Sequence, residues 1–205
     1  MNKEGFIVDR CAIVILAAGR SARLGQPKQL LPYHGETLLT HAAHAALQTK
    51  LQPVAVVLGD NHALIKKELE NLKVTIVVNE SWTEGIASSV RIGLHTVLKK
   101  DPGVDAIIFM VCDQVHVSAS VLNHLLEKQS QTKAPIIASA YKNSMGTPAL
   151  FHKHFFPQLA LLSGDKGAVK IIKENADLTE TISFPRGSID IDTPEDYQSL
   201  LNNIP

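Results

Sequence analysis

Short runs of mainly apolar, often β-branched residues at 11–17, 54–58, 74–78, 106–112 and 135–140 punctuate the chain. Continuous rather than alternating hydrophobicity over so few residues predicts strands covered on both faces, as in a parallel sheet. Between the runs, residues 37–48, 62–71, 86–98 and 118–128 read as helices. In the last of these, Val121, Leu122, Leu125 and Leu126 recur at helical spacing, and Ser118 or Ser120 caps the start. The alternation βαβα predicts an open α/β sheet with right-handed crossovers, whose ligands lie beyond the carboxyl ends of the strands. After residue 140 the rhythm changes. Lys142-Asn143-Ser144-Met145-Gly146 reads as a turn, and 147–151 returns as an extended segment that Pro148 should confine to an edge, a small β-arm near 141–151. A helix is expected over 168–174, a strand over 181–184, and a last helix over 195–201 opened by Thr193-Pro194-Glu195.

Composition narrows the class. The 205 residues, 45% apolar and 20% charged, suffice for a buried core, and with no repeat or low-complexity linker one domain over 1–205 is expected. Twenty basic residues balance twenty acidic ones, so the overall positive field of a nucleic-acid coat is missing and an anionic ligand must be held locally. Cys11 and Cys112 lie in apolar runs and read as free, packed thiols. Residues 1–10 mix charge into the segment where a secretory signal needs an apolar core, and no apolar stretch approaches the ~20 residues of a membrane span. A cytoplasmic protein without nucleic-acid or membrane partners is expected.

The most informative segment is Leu16-Ala17-Ala18-Gly19-Arg20-Ser21-Ala22-Arg23-Leu24-Gly25-Gln26-Pro27-Lys28. A buried strand that ends in small residues exposes backbone N–H groups, and such a nest binds phosphate where cations stand nearby. Arg20, Arg23 and Lys28 supply them, with Arg23 placed ahead of Arg20, which is free to face solvent. The segment is neither a Walker A loop nor G-x-G-x-x-G. Asp113 follows the apolar run 106–112 and should sit at a strand's carboxyl end, where a metal ligand and a helix cap are both open readings. Asp190 and Asp192, two apart, share a face if extended, so either could reach a metal. Asp192 alternatively caps the helix at Pro194.

The phosphate segment followed by QLLPYHGETLL resembles the opening signature of nucleotidyltransferases, which join a nucleoside triphosphate to a phosphorylated acceptor. The resemblance continues in Asn79-Glu80-Ser81-Trp82-Thr83-Glu84-Gly85-Ile86-Ala87-Ser88-Ser89, Cys112-Asp113-Gln114, Gly146-Thr147-Pro148-Ala149-Leu150-Phe151, Gly164-Asp165-Lys166-Gly167-Ala168 and Asp190-Ile191-Asp192-Thr193-Pro194-Glu195-Asp196. Together these are similar to the molybdenum cofactor cytidylyltransferases. The resemblance implies a Rossmann-like fold, Mg²⁺ held by Asp113 and Asp192, and transfer of CMP from CTP to molybdopterin, with a client molybdoenzyme as a further partner. It implies Lys28 at the α-phosphate, the loop from Gly19 to Arg23 around the outer phosphates, Gly85, Ser88 and Ser89 at the base, and Gly146, Thr147, Pro148, Asp165 and Lys166 at the acceptor. Two departures stand out: Ile86-Ala87 replaces part of the family's Gly-Met-Ser-Ser-Ser, and Val115 follows Gln114 where proline is usual.

Plainer readings stand beside these. Ser88 or Ser89 can serve only the helix backbone, and turns explain the two acceptor segments. His41 with His44, and His152 with His154, lack the partners of a zinc motif and read as surface or core histidines. Trp82 can stack on a planar ligand or plug the core. A nucleotidyltransferase using GTP or another phosphorylated acceptor, and a non-catalytic carrier or chaperone of the cofactor, are the competing functions.

Overall fold

The computed structural model describes residues 5–142 and 144–202. The reading of 1–10 as signal-free therefore falls partly outside the described residues, as does Asn143 of the expected turn.

The elements follow in order. They are β1 (Cys11–Ala17), β2 (Pro32–Tyr33), β3 (Glu36–Thr37), α1 (Leu38–Leu47), β4 (Val54–Leu58), α2 (His62–Ile65), β5 (Thr75–Val78), α3 (Ile86–Lys100), β6 (Ala106–Val111) and α4 (Ala119–Thr132). β7 (Ile136–Tyr141), β8 (Ser144–His152), α5 (Phe156–Ala160), α6 (Val169–Glu174), β9 (Thr179–Ser183) and α7 (Pro194–Asn202) complete them. Seven strands form one sheet in the order β5-β4-β1-β6-β8-β7-β9, parallel except for β8, while β2 and β3 pair as a small hairpin.

Alternation along the strands divides the core. Ile13 and Ile15 face one cluster with Leu39 and Ala43 of α1 and Leu122 and Leu125 of α4. Ala12 and Val14 face the other, with Val90 and Leu94 of α3 and Ile171 and Ile172 of α6. Both faces of β1 are buried, which is why its sequence reads as an unbroken apolar run. α3 lies close on the sheet because residue 93 is glycine: a Cβ there would stand 2.5 Å from Val14 Cγ1. A third, smaller cluster of Leu31, Tyr33, Leu38, Val115, Ile191 and Leu200 fastens the β2–β3 hairpin to α7. Among the described residues no helix is long and apolar enough to cross a membrane.

Two expectations need correction. The hairpin after residue 140 exists, but its second arm, β8, is no edge or appended arm; it is inserted between β6 and β7. Pro148 is tolerated because the register slips from Ala138↔Ala149 to Ser139↔Gly146, leaving the proline in a bulge where no ladder N–H is needed. Its carbonyl accepts a 2.7 Å hydrogen bond from Ser139 Oγ. The helix expected over 62–71 is one α turn followed by a 3-10 turn, Lys66–Leu69. Only Ile65 and Leu69 anchor it to the core, and Leu64 is half exposed, so no apolar stripe sustains a longer helix.

Candidate active site

From β1 the chain moves outward to β4 and β5, then returns to place β6 on β1's other flank, so the sheet changes direction between β1 and β6. Leu16 pairs with Val111 and Ala17 with Leu58, so these strands end together. The crevice beyond such a reversal is the ligand position of open α/β sheets.

The loop leaving β1 is folded back by its own polar groups. Ser21, in the left-handed region at φ 56°, accepts a 2.9 Å hydrogen bond from the Lys28 backbone N–H on Oγ, and its carbonyl accepts one from Leu24 N at 3.0 Å. The Ser21 hydroxyl thus shapes the loop. Gln29, buried at 1% exposure, donates from Nε2 to Ala17 O (2.8 Å) and Gly19 O (3.0 Å). Its Oε1 is left without a partner.

Lys28 is thereby delivered between two carboxylates. Its ammonium donates to Asp113, just beyond β6, and to Asp192 Oδ1 at 3.0 Å. Arg23 Nη2 donates to the other Asp192 oxygen at 2.8 Å. Burial alone would lower the Lys28 pKa, but the charge and hydrogen bond of Asp113, with help from Asp192, outweigh it and raise it, fixing the ammonium charge. Burial likewise works against ionised Asp192, yet its bonds to Lys28 and Arg23 hold its carboxyl below the ordinary value. Among the described residues Asp190 has no such hydrogen bond, and the Lys28 charge only partly offsets what acts on it. Burial first, then Asp113 and Asp192, push it up to about 6. The neighbouring Cys112 thiol is raised to about 12 by burial and Asp113, so it stays protonated and is a poor nucleophile.

The capping alternative for Asp192 is resolved. Thr193 caps α7: its Oγ1 accepts from Asp196 N at 3.2 Å, while Asp196 Oδ2 accepts from Thr193 N at 2.8 Å and Asp192 N at 3.2 Å. This reciprocal box leaves the Asp192 carboxylate to the basic residues. Among the described residues no three His, Cys, Asp or Glu side chains cluster as a ready-made metal cage.

A cavity of about 350 Å³ opens beside this cluster, lined by Leu16 to Arg20, Lys28, Gln29, Val111 to Asp113, by Trp82, Thr83, Gly85, Ile86 and Ser89 from α3 and its approach, and by Asp165 from the loop before α6. It brings together most of the residues expected at the nucleotide. Arg20, the weaker candidate from sequence, lines it. Arg23 lies outside, paired with Asp192. Trp82 packs on the core, as one of its two readings had it, and also lines the cavity.

The two serines divide. Ser88 accepts from Asn79 Nδ2 at 2.8 Å and donates to Gly85 O at 2.8 Å, so its hydroxyl is spent on the polypeptide around the start of α3. Ser89 accepts from the same Asn79 nitrogen at 2.9 Å and faces the cavity. Ala87 is fully buried in the core, so the family's serine at that position has no counterpart in the cavity wall.

The acceptor residues scatter. Thr147 Oγ1 donates to Gln114 Oε1 at 3.2 Å, Gly146 backs onto the Tyr141 hydroxyl, and Pro148 sits in the bulge. None of the three lines the cavity. Lys166 is exposed and also outside it, whereas Asp165 is part of its α3 wall. The histidine pairs have structural partners: His41 and His44 both donate to Glu36, and His152 Nδ1 accepts from His154 N.

Buried amides around the cavity were missed from sequence: Gln29 and Asn79, described above, and Gln114, whose Nε2 donates to Gly187 O at 2.7 Å. Asn79 and Gln114 follow strand runs closely, and an amide there was the available signal; Gln29 lies in the loop after β1 and carried none. A second cavity of about 820 Å³, lined by Tyr33, His34, His116, Arg186, Asp190 and residues of α7, also went unforeseen.

The family model for the MobA-like NTP transferase domain matches residues 13–179. The nicotine blue oxidoreductase of Paenarthrobacter nicotinovorans is 32% identical over 92% of this chain and 95% of its own length. The molybdenum cofactor cytidylyltransferase of Escherichia coli K12 is 26% identical over 90% and 92%, and a Bacillus mycoides protein named "Probable molybdenum cofactor guanylyltransferase" is 26% identical over 78% and 77%. Among solved structures, Rv0371c of Mycobacterium tuberculosis has a TM-score of 0.80 at 30% identity, covering 95% of this chain and all of that one. Its manganese complex has the same TM-score and coverage at 28% identity.

Proposed function

Because this chain belongs to the MobA-like NTP transferase family and is a nucleotidyltransferase, we propose that it transfers CMP from CTP to the terminal phosphate of molybdopterin and releases pyrophosphate. The observation that carries the reading is Lys28, a partly buried, fixed positive charge held between Asp113 and Asp192 beside a cavity walled by the β1 loop.

The donor set fits a divalent ion. Mg²⁺ is usually held by one or two carboxylates together with substrate phosphates and water, and Asp113 and Asp192 supply the two. That the Mycobacterium relative forms a complex with manganese supports a divalent ion as a ligand of this chain too. When bound, such an ion would neutralise charge on the triphosphate.

The chain's own groups do the rest. Lys28 exchanges a carboxylate for a non-bridging oxygen of the α-phosphate, where charge grows during transfer. Arg20, in the cavity wall, holds the outer phosphates. A Cβ at Gly19 would meet no protein atom within 4 Å, so this glycine leaves room for a ligand against the backbone. The second cavity lies next to the carboxylates through Asp190, and its histidines, Tyr33 and Arg186 offer a polar berth for the acceptor. The acceptor phosphate oxygen forms a bond to the α-phosphorus in line as the α–β bridging P–O bond breaks, and pyrophosphate carries away the electron pair. No protein nucleophile takes part.

Pyrophosphate release tests the reading. It should require protein, nucleotide, divalent ion and molybdopterin together. Release that ignores molybdopterin, or none at all, contradicts it. GTP belongs in the same assay, because the guanylyltransferase-named relative gives that base a specific claim.

A further inference from the structure

The loop carrying Asp165, which the family resemblance puts at the acceptor, lies against the start of α3. It is pinned there: Ala87 N donates to Gly164 O at 3.1 Å, and Arg91 Nη1 donates to Leu162 O at 2.6 Å while its Nη2 holds Glu84 at 2.8 Å. Gly85, at φ 102°, lets the loop approach, since a Cβ there would collide with Asp165 Oδ1 and stand 2.7 Å from the Gly164 backbone. Gly167 is likewise packed on Ile86. Asp165 is therefore held in the wall it shares with Gly85, Ile86 and Ser89. Among the described residues it forms no ion pair.

This wall offers complementary polar groups. Ser89 Oγ accepts from Asn79, which leaves its hydroxyl hydrogen to donate into the cavity. An ionised Asp165 can only accept. A six-membered pyrimidine with an exocyclic amine at C4 answers both: the amine donates to Asp165, and O2 accepts from Ser89. Uracil carries a carbonyl at C4, which would set an acceptor against a carboxylate.

We propose that Asp165 is a specificity residue that selects the amino pyrimidine over the keto pyrimidine. The assignment rests on the nucleotidyltransferase reading of the cavity and names a base-reading group within it. An acceptor facing the wrong partner costs roughly a factor of 10 to 100 in binding, which sets the expected preference for CTP over UTP.

The test measures binding of CTP, UTP and GTP to the full-length protein with Mg²⁺ and without acceptor, by calorimetry. The parent protein should bind CTP over UTP by at least ~10-fold. Asp165→Asn, whose amide can donate to a C4 carbonyl, should weaken CTP, strengthen UTP and erase most of the ratio. Asp165→Ser serves if the amide variant does not fold, and should also collapse the ratio. Ser89→Ala should weaken both pyrimidine nucleotides and leave the ratio standing, because both present O2. A CTP-to-UTP ratio unchanged in both Asp165 variants overturns the assignment while the transferase reading survives. GTP binding more tightly than CTP in the parent protein overturns the amino-pyrimidine choice. Failure of the parent protein to bind any of the three overturns the transferase reading itself, and this inference with it.

Discussion

The two walls of the cavity proposed for the nucleotide are built by different physics. On one side Lys28 and Asp113 line it, with Asp192 bonded to Lys28 just outside the lining; the three come from distant parts of the chain, and their charges meet because β1 and β6 end side by side and α7 starts next to them. On the other, Gly85, Ile86, Ser89 and Asp165 meet because two loops fit together closely on α3. The first wall is defined by charge and stiffened by the sheet; the second is defined by shape and by which hydrogen bonds remain unmet. Function should follow the same division, with rate set by the charged wall and choice of base by the fitted one.

Neutralising the charged wall should have the largest effect. Asp113→Asn and Asp192→Asn keep shape and remove charge, and each should lower turnover at least ~100-fold with a native-like thermal unfolding profile. Near-parental turnover at saturating Mg²⁺ would erase the distinction between the walls. Lys28→Ala should lower kcat by about 100-fold and change nucleotide KM little, because its partner is the α-phosphate of the transition state. A change confined to KM would mean it serves ground-state binding.

The fitted wall should break sterically. Gly85→Ala forces a side chain into a left-handed backbone against Asp165 and Gly164, and should cost about 2 kcal/mol in denaturant unfolding. An unchanged midpoint would show that the loops do not fit as described. Arg20→Ala should raise nucleotide KM by about 10-fold with kcat nearly constant, whereas Arg23→Ala, outside the cavity and mostly exposed, should do less.

The smallest effect sharpens the electrostatic side. Asp190 has a folded pKa raised to about 6 by burial, Asp113 and Asp192, so its ionisation opposes folding. That cost is present above pH 6, shrinks as pH falls through 6 toward 4, and is absent once the unfolded chain is protonated too. Asp190→Asn should therefore stabilise the protein by about 1 kcal/mol at pH 7, a figure reduced for solvent screening, and give no gain below pH 4. A gain that persists at low pH would place its origin elsewhere.

The sequence was legible where one physical signal acted alone. β1 and β4 show it: both faces of each are buried, and the apolar runs match their bounds. The place of Asp113 was legible as well, because a carboxylate directly after a strand run stands at the carboxyl edge of the sheet, whereas Lys28 and Asp192 reach it only through loops that follow β1 and β9. β8 was misplaced because Pro148 argues for an edge unless a bulge is known, and a bulge depends on a partner strand's register. The β2–β3 hairpin was passed over although His34 and Gly35 both take positive φ, the requirement of a tight two-residue turn. Asp165 and Ser89 were illegible as a pair: 76 residues separate their numbers, and only the packing of the 164–167 loop on α3 brings them to one wall.

The central claim is tested most directly by one competition. Purified protein with Mg²⁺, molybdopterin and equimolar CTP and GTP should yield a cytosine dinucleotide as the dominant product by mass, with matching pyrophosphate. A dominant guanine dinucleotide, or no dinucleotide of either base, would contradict it.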